Sequence, residues 1–212
     1  MDGVIIDSEP LHQSTEKAVF QLLGISIPDD VQNSFIGCTD AFMWSRIAEM
    51  YRLSIDIPEI IETKKSLYLQ YLKEKTIFPI AGVVDLLTRL FNNKFLIALA
   101  TSAPHEQIDY ILHAFKIRHF FNSITSGEDV SMGKPHPEIF LTAAKSVGIE
   151  PQSCIVIEDS QNGIIAAKNA RMKCIAYKNP NSGNQDLSKA DMTITSYEDI
   201  SLDLLRNGLS TF

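Results

Sequence analysis

Apolar positions along the 212-residue chain change period near Thr76, and the change divides the sequence in two. From Pro10 to about Lys75 the period is helical. Leu11, Val19, Leu22 and Leu23 share one face of a helix that Gly24 can end, and Phe42, Met43, Ile47, Met50 and Tyr51 share a face of a second. Pro58 can open a third helix carrying Ile61, Leu67 and Leu72, so residues 10–75 are predicted to form a small all-helical unit.

Beyond Thr76 short apolar runs alternate with amphipathic stretches. Pro79 and Gly82 introduce a helix with Val83, Leu86, Leu87 and Leu90, and the run Phe95-Leu96-Ile97-Ala98-Leu99-Ala100 has the length of a buried strand. A helix with Ile108, Ile111, Leu112 and Phe115 follows, then a short strand near Ile124. A further helix runs from Pro137 to Gly148, with Ile139, Phe140, Ala143, Ala144 and Val147 on one side. Strand-like Cys154-Ile155-Val156-Ile157, a helix from Gln161 to Ala170, and strands at Cys174–Tyr177 and Met192–Ile194 complete the series, with a polar loop from Asn179 to Asp186. Strands that alternate with helices predict an α/β core, a Rossmann-like parallel sheet covered on both faces. Residues 1–9 and 76–212 are assigned to that core, and 10–75 to an insertion.

Composition narrows the function classes. With 26 acidic residues against 19 Lys and Arg the net charge is −7, so the chain carries no electrostatic footprint for nucleic acid. Cys38, Cys154 and Cys174 lack metal-ligand spacing and read as reduced thiols. The longest apolar runs fall well short of the ~20 residues of a membrane span, and no signal-peptide pattern opens the chain. A soluble, cytoplasmic, monomeric protein is expected, with no nucleic-acid or membrane partner.

In open parallel sheets ligands bind beyond the carboxyl ends of the strands. That rule selects Met1-Asp2-Gly3, Thr101-Ser102 and Glu158-Asp159. Adjacent carboxylates at a strand end repel unless a cation offsets them, and hard oxygens suit Mg²⁺; the pair also reads as a solvated turn capping the next helix. Thr101-Ser102 before Pro104 makes either an ordinary helix cap or a phosphate site built from free backbone N–H groups. Gly133-Lys134-Pro135-His136-Pro137 holds a lysine in a proline-flanked turn, where an ammonium can neutralise phosphate oxygens. His12 and His136 read as structural.

These segments, taken with Asp7-Ser8-Glu9-Pro10 after the first and Ser160-Gln161-Asn162-Gly163 after the last, resemble the four motifs of the haloacid dehalogenase superfamily. The resemblance is to the branch with a helical cap that includes β-phosphoglucomutase and small-metabolite phosphatases, and it runs over nearly the whole chain. It implies a fold with a helical cap inserted in the core, and a Mg²⁺-dependent phosphatase acting on a small phosphorylated metabolite. Asp2 matches the aspartate that serves as general acid and then general base, with its carbonyl on the metal. Thr101, helped by the Ser102 N–H, matches the phosphoryl-binding hydroxyl. Lys134 matches the lysine that bridges phosphate and nucleophile, Asp159 the metal ligand, and Glu158 a support for the metal through water.

The nucleophilic aspartate of the family lies two residues before the acid/base aspartate, a place that precedes Met1 here. Its apolar strand is missing from the sequence too. Loss of that middle strand leaves its neighbours about 10 Å apart, twice the ~4.8 Å pairing distance. The expectation is therefore a longer native chain whose upstream codons supply the strand and its aspartate. Taken literally, the chain reads instead as an inactive phosphate-binding protein. In the cap, the turn Phe35-Ile36-Gly37-Cys38-Thr39-Asp40 matches the substrate-facing loop, with Ile36, Gly37 and Thr39 as candidate substrate residues and Lys65 beside them. β-Phosphoglucomutases place a lysine and an arginine where Ile36 and Asp40 align, so hydrolysis is expected over hexose-phosphate mutase chemistry. Lys64 and Lys65 together read as a solvated helix face.

Overall fold

A computed structural model describes residues 1–36 and 38–209 and separates two units. One comprises Ser8–Ile77 with Asn181–Asn184; the other comprises Met1–Asp7, Phe78–Pro180 and the chain from Gln185 onward.

The first unit is helical. It contains α1 (Glu9–Leu22), α2 (Asp29–Asn33), α3 (Asp40–Tyr51) and α4 (Ile57–Glu74). Pro10 in the first turn of α1 gives up no hydrogen bond there, and Glu9 beside it suits the positive end of the helix. Thr39 and Asp56 cap α3 and α4, accepting from the N–H groups of Phe42 and Glu59 at 3.3 and 3.1 Å. Val19 and Phe20 of α1 meet Met43, Trp44 and Ile47 of α3, and the Phe20 and Trp44 rings pack edge to face at 5.6 Å. Leu22, Phe42 and Met50, which the helical pattern puts on buried faces, are instead 69%, 53% and 50% exposed. Each lies to one side of the arc that Val19, Met43 and Ile47 define, and a ~100° stripe is all that a short helix buries. Helix α2 is too short to carry a period and was not foreseen.

The second unit is the α/β core. Its helices are α5 (Val83–Asn92), α6 (His105–Ala114), α7 (Glu138–Ser146), α8 (Gln161–Asn169) and α9 (Leu202–Arg206). Its strands are β1 (Ala98–Thr101), β2 (Ser123–Ser126), β3 (Ile155–Glu158), β4 (Lys173–Tyr177) and β5 (Met192–Ile194). Every ladder is parallel. Leu99 lies opposite Ile124 in the β1–β2 pair, Val156 opposite Cys174 in β3–β4, and Ala176 opposite Thr193 in β4–β5. Strand β4 has a partner on each edge, and its residues 174–177 are all buried, which is why it reads as an unbroken apolar run. Helix α8 meets β3 and β4 through Ile164, Ala166 and Ala167, and the two alanines let backbone approach backbone closely. Buried side chains such as Ile139, Ile164 and Ile175 each contribute roughly 1.5–3 kcal/mol.

The five strands form two sheets, β1-β2 and β3-β4-β5. Among the described residues β1 and β3 share no ladder. Between them lies an apolar cavity of about 450 Å³, lined by residues 95–100 on one side and 153–157 on the other, with Met1 and Val4 beside them. No helix of the described residues is long and apolar enough to cross a membrane.

Candidate active site

Four segments of the α/β unit converge where the strands end. The first is the tight turn at residues 1–6. Gly3 adopts φ +66°, its N–H donates to the Ile6 carbonyl at 2.8 Å, and the Ile5 N–H donates to the Met1 carbonyl at 2.6 Å. A side chain at position 3 has no room: its Cβ would fall 1.8 Å from Asp159 Oδ2. This contact places the Asp159 carboxylate directly against the Asp2-Gly3 backbone. The Asp2 carboxylate accepts from Gln107 Nε2 on α6 at 3.3 Å.

The second segment follows β1. Thr101 is buried, and its Oγ1 accepts the Ala103 N–H at 3.3 Å, so the turn is drawn tight around the hydroxyl. The turn after β2 supports it from behind. Ser126 Oγ donates to the Ala103 carbonyl at 2.7 Å, and a Cβ on Gly127 would lie 2.6 Å from the Ser102 carbonyl oxygen. Ser102 itself is exposed.

Lys134 and Glu158 supply the third and fourth. They form a buried ion pair through Lys134 Nζ and Glu158 Oε1, with the lysine also 5.0 Å from the centre of the Phe140 ring. The second carboxylate oxygen of Glu158 accepts from the Asp159 N–H, the Ser160 N–H and the Ser160 hydroxyl, each at 2.9 Å. Burial alone would raise the Glu158 carboxyl, but the Lys134 ammonium and the Ser160 N–H outweigh it and hold the group down at about 2. Glu158 is therefore an anion at any ordinary pH, held against Lys134. Helix α8 can approach this carboxylate because position 163 is glycine, where a Cβ would lie 2.0 Å from Glu158 Cδ.

The structure thus sets the Asp159 carboxylate against the Asp2-Gly3 turn and pairs Lys134 with the adjoining Glu158. Thr101 and Ser102 close the carboxyl end of β1 in the same unit. Among the described residues no cluster of three or more His, Cys, Asp and Glu side chains has metal-binding geometry. Asp2 and Asp159 bring two further hard oxygen donors on adjoining loops. They fit Mg²⁺, which takes one or two carboxylates and completes its shell with water and phosphate.

The other predicted residues lie in the helical unit. Thr39 caps α3, and Ile36 packs against Gly183, where a Cβ would come within 2.7 Å of the isoleucine. Gly37 lies outside the described residues. Lys65 is exposed and paired with Glu62 at 2.6 Å, a solvated helix face as expected. Lys64 departs from that reading: it is buried, with Glu16 at 2.9 Å and Asp40 at 2.5 Å. Sequence reasoning also passed over Gln107 and Gly127, whose parts depend on neighbours far along the chain.

The chain is similar to known proteins over most of its length. The sequence profile of the haloacid dehalogenase-like hydrolases matches residues 1–177. Hexitol phosphatase B of Escherichia coli K12 is 30% identical over 97% of this chain and 94% of its own length. A phosphorylated carbohydrates phosphatase of Thermotoga maritima is 28% identical over 82% of this chain and 81% of its own. Among solved structures, β-phosphoglucomutase from Clostridium difficile superposes with a TM-score of 0.77 at 28% identity, covering 98% of this chain and 93% of that one. With the profile spanning most of the sequence and the fold shared from end to end, the chain belongs to the haloacid dehalogenase-like hydrolases.

Proposed function

We propose that the protein is a Mg²⁺-dependent phosphatase that hydrolyses a small phosphomonoester of the sugar-phosphate class through an aspartyl-phosphate intermediate. The observation that carries this reading is the buried Lys134–Glu158 pair set beside Asp2 and Asp159 at the strand ends. Phosphoryl transfer asks a protein for positioning and charge neutralisation, and this constellation supplies both. The relatives named for hexitol and carbohydrate phosphates support the substrate class.

In this reading the nucleophile is an aspartate two residues before Asp2, at the end of a strand that would fill the slot between β1 and β3. The slot's apolar lining and its two unpartnered strand edges support that placement. A carboxylate oxygen of the nucleophile bonds to phosphorus as the ester oxygen leaves, and Asp2 gives its proton to that oxygen. Asp2 then takes a proton from water, the water oxygen bonds to phosphorus, and the aspartyl P–O bond breaks to release phosphate. Thr101 and the Ser102 N–H hold the phosphoryl oxygens, and Lys134 balances their charge. Asp159 and the Asp2 carbonyl would hold Mg²⁺, with Glu158 behind them; when bound, the ion offsets the charge of phosphate and nucleophile.

Hydrolysis is favoured over mutase chemistry by the helical unit. Ile36 is apolar and Asp40 is neutralised by Lys64, so the positions where a mutase carries cations offer none for a second phosphate. Ile36, Gly37, Thr39 and Lys65 remain the cap candidates for choosing the substrate.

The test is phosphate release from hexitol and sugar phosphates by the product of the complete reading frame, with and without Mg²⁺. Release is expected only with the metal, and Asp2→Asn is expected to lower it by about 10²–10⁴-fold. Equal release by the Asn variant would overturn the assignment.

A further inference from the structure

The turn that carries Asp2 is held by three consecutive carbonyls, each captured by a different element. The Gly3 carbonyl accepts from Asn179 Nδ2 at 3.0 Å, the Val4 carbonyl from the Tyr197 hydroxyl, and the Ile5 carbonyl from the Ile80 N–H at 2.8 Å. Asn179 stands just past the carboxyl end of β4, Tyr197 follows β5, and Ile80 precedes α5. Three donors from three directions leave a six-residue turn little freedom to rotate or slide.

The side chains that make these bonds are themselves fixed. Asn179 is 7% and Tyr197 1% exposed. The Tyr197 ring stacks on Tyr177 with centroids 4.8 Å apart and planes 10° from parallel. Position 82 is a glycine at φ +83°, and a Cβ there would sit 3.3 Å from Tyr197 Cβ, so the start of α5 closes on the tyrosine. Arg89 on α5 then donates to the Tyr197 and Ile200 carbonyls at 3.3 and 3.0 Å. Burial pushes the Tyr197 hydroxyl well above its ordinary range, so it stays a donor at any working pH.

We infer that Asn179 and Tyr197 are positioning residues for the acid/base step, clamping the Asp2 turn so that its carboxylate meets the leaving oxygen. The inference rests on the reading of Asp2 given above. Neither residue has a nucleophilic or metal-binding role here; their bonds end on main-chain oxygens one and two positions beyond Asp2. A catalytic group needs to be held within about 0.5 Å, and a misplacement of about 1 Å can cost 10²-fold. Bonds to the backbone of the turn supply that restraint without touching the reacting atoms.

The experiment separates positioning from mere folding. Asn179→Ala removes one donor, and Tyr197→Phe removes the other while keeping the ring stack, so it serves if the alanine variant folds poorly. Each is made in the product of the complete reading frame and assayed on p-nitrophenyl phosphate, whose leaving group departs without a proton, and on glycerol phosphate, whose alkoxide needs one. Glycerol phosphate turnover is expected to fall about tenfold or more, with KM within about threefold and p-nitrophenyl phosphate turnover within about threefold. Equal losses on both substrates would overturn the proposal, because a structural role moves them together. Amide hydrogen exchange of residues 1–7 is measured in parallel, and about tenfold faster exchange is expected there with β1 unchanged. Unaltered exchange would also overturn it. If the unsubstituted protein released no phosphate from either ester, the phosphatase reading would fall, while the exchange arm would still decide whether the clamp exists.

Discussion

Lys64 in the helical unit is buried and Lys134 in the α/β unit is largely so, its side chain 13% exposed, and their surroundings differ. Lys64 in the helical unit faces two carboxylates, Glu16 and Asp40, and Gln32 donates to the far oxygen of Glu16 at 2.8 Å. Its cluster joins α1, α2, α3 and α4, and the lysine has no carboxylate to spare it for a ligand. Lys134 in the α/β unit faces one carboxylate, on a turn at the open ends of parallel strands, with Asp2 and Asp159 close by. Burial with full neutralisation cross-links helices. A single carboxylate partner at a strand end is what the proposed phosphate-binding role of Lys134 needs, since an ammonium has three protons to donate.

The largest expected effect comes from breaking the second pair. Lys134→Met should lower phosphate release by about 10²–10³-fold, the loss seen when a donor to developing charge is removed. It should also destabilise the α/β unit by about 3 kcal/mol, because the Glu158 carboxylate is left buried alone. Steady-state kinetics with denaturant unfolding checks both. Activity within threefold of the unsubstituted protein would make Lys134 as structural as Lys64.

Lys64→Met is expected to do the converse. Glu16 and Asp40 lose the cation they share, and the helical unit should lose about 3 kcal/mol. The chain's single tryptophan, Trp44, is fully buried in that unit, so its fluorescence reports the transition directly. Turnover per folded molecule should change far less than in Lys134→Met. A Trp44 transition that does not move would show that the cluster contributes nothing to the helical unit.

One group of each cluster should also make stability depend on pH. Burial and Lys134 leave the Glu158 carboxyl at about 2 in the fold, below its ordinary 4.5, so its stabilising effect is complete above 4.5 and is lost as the pH falls toward 2. For Lys64 burial acts downward, yet Glu16 and Asp40 raise the ammonium above its ordinary 10.5. That contribution is complete below 10.5 and is lost only as the pH rises through the higher folded value. Hydrogen exchange of residues 134–160 should therefore speed up as the pH falls from 4.5 toward 2, and the Trp44 transition should weaken as the pH rises past 10.5. Exchange around Glu158 that does not change over the acid range would contradict the first assignment, and a Trp44 transition that does not change over the alkaline range the second.

How much of this was legible beforehand follows from range along the chain. The alternation of β1, α6, β2, α7, β3, α8 and β4 shows in the sequence because each element carries its own period, and the segments around Asp2, Thr101, Lys134 and Glu158 stand out because chemistry-bearing residues fall just after apolar runs. Gln107 to Asp2, Asn179 to Gly3 and Tyr197 to Val4 span 105, 176 and 193 residues. Nothing local in an Asn after a strand or a Tyr in a turn announces such a partner. Lys64 was hidden for a related reason. It adjoins Lys65, and two lysines in a row look like one solvated face until the helix turns them about 100° apart.

That neighbour offers the smallest effect and the control for the comparison. Lys65 pairs with Glu62 at 2.6 Å, a length close to that of Lys64 with Asp40, but both side chains are more than half exposed. Water screens the pair, and holding two long side chains together costs rotamer freedom, so Lys65→Ala should change stability by no more than about 0.5 kcal/mol. The small change should fade in about 1 M salt, where the screening length is about 3 Å, whereas the Lys64→Met loss should persist. Both variants can be followed through the Trp44 transition at low and high salt. Should Lys65→Ala cost as much as Lys64→Met, burial would not be what sets the two lysines apart.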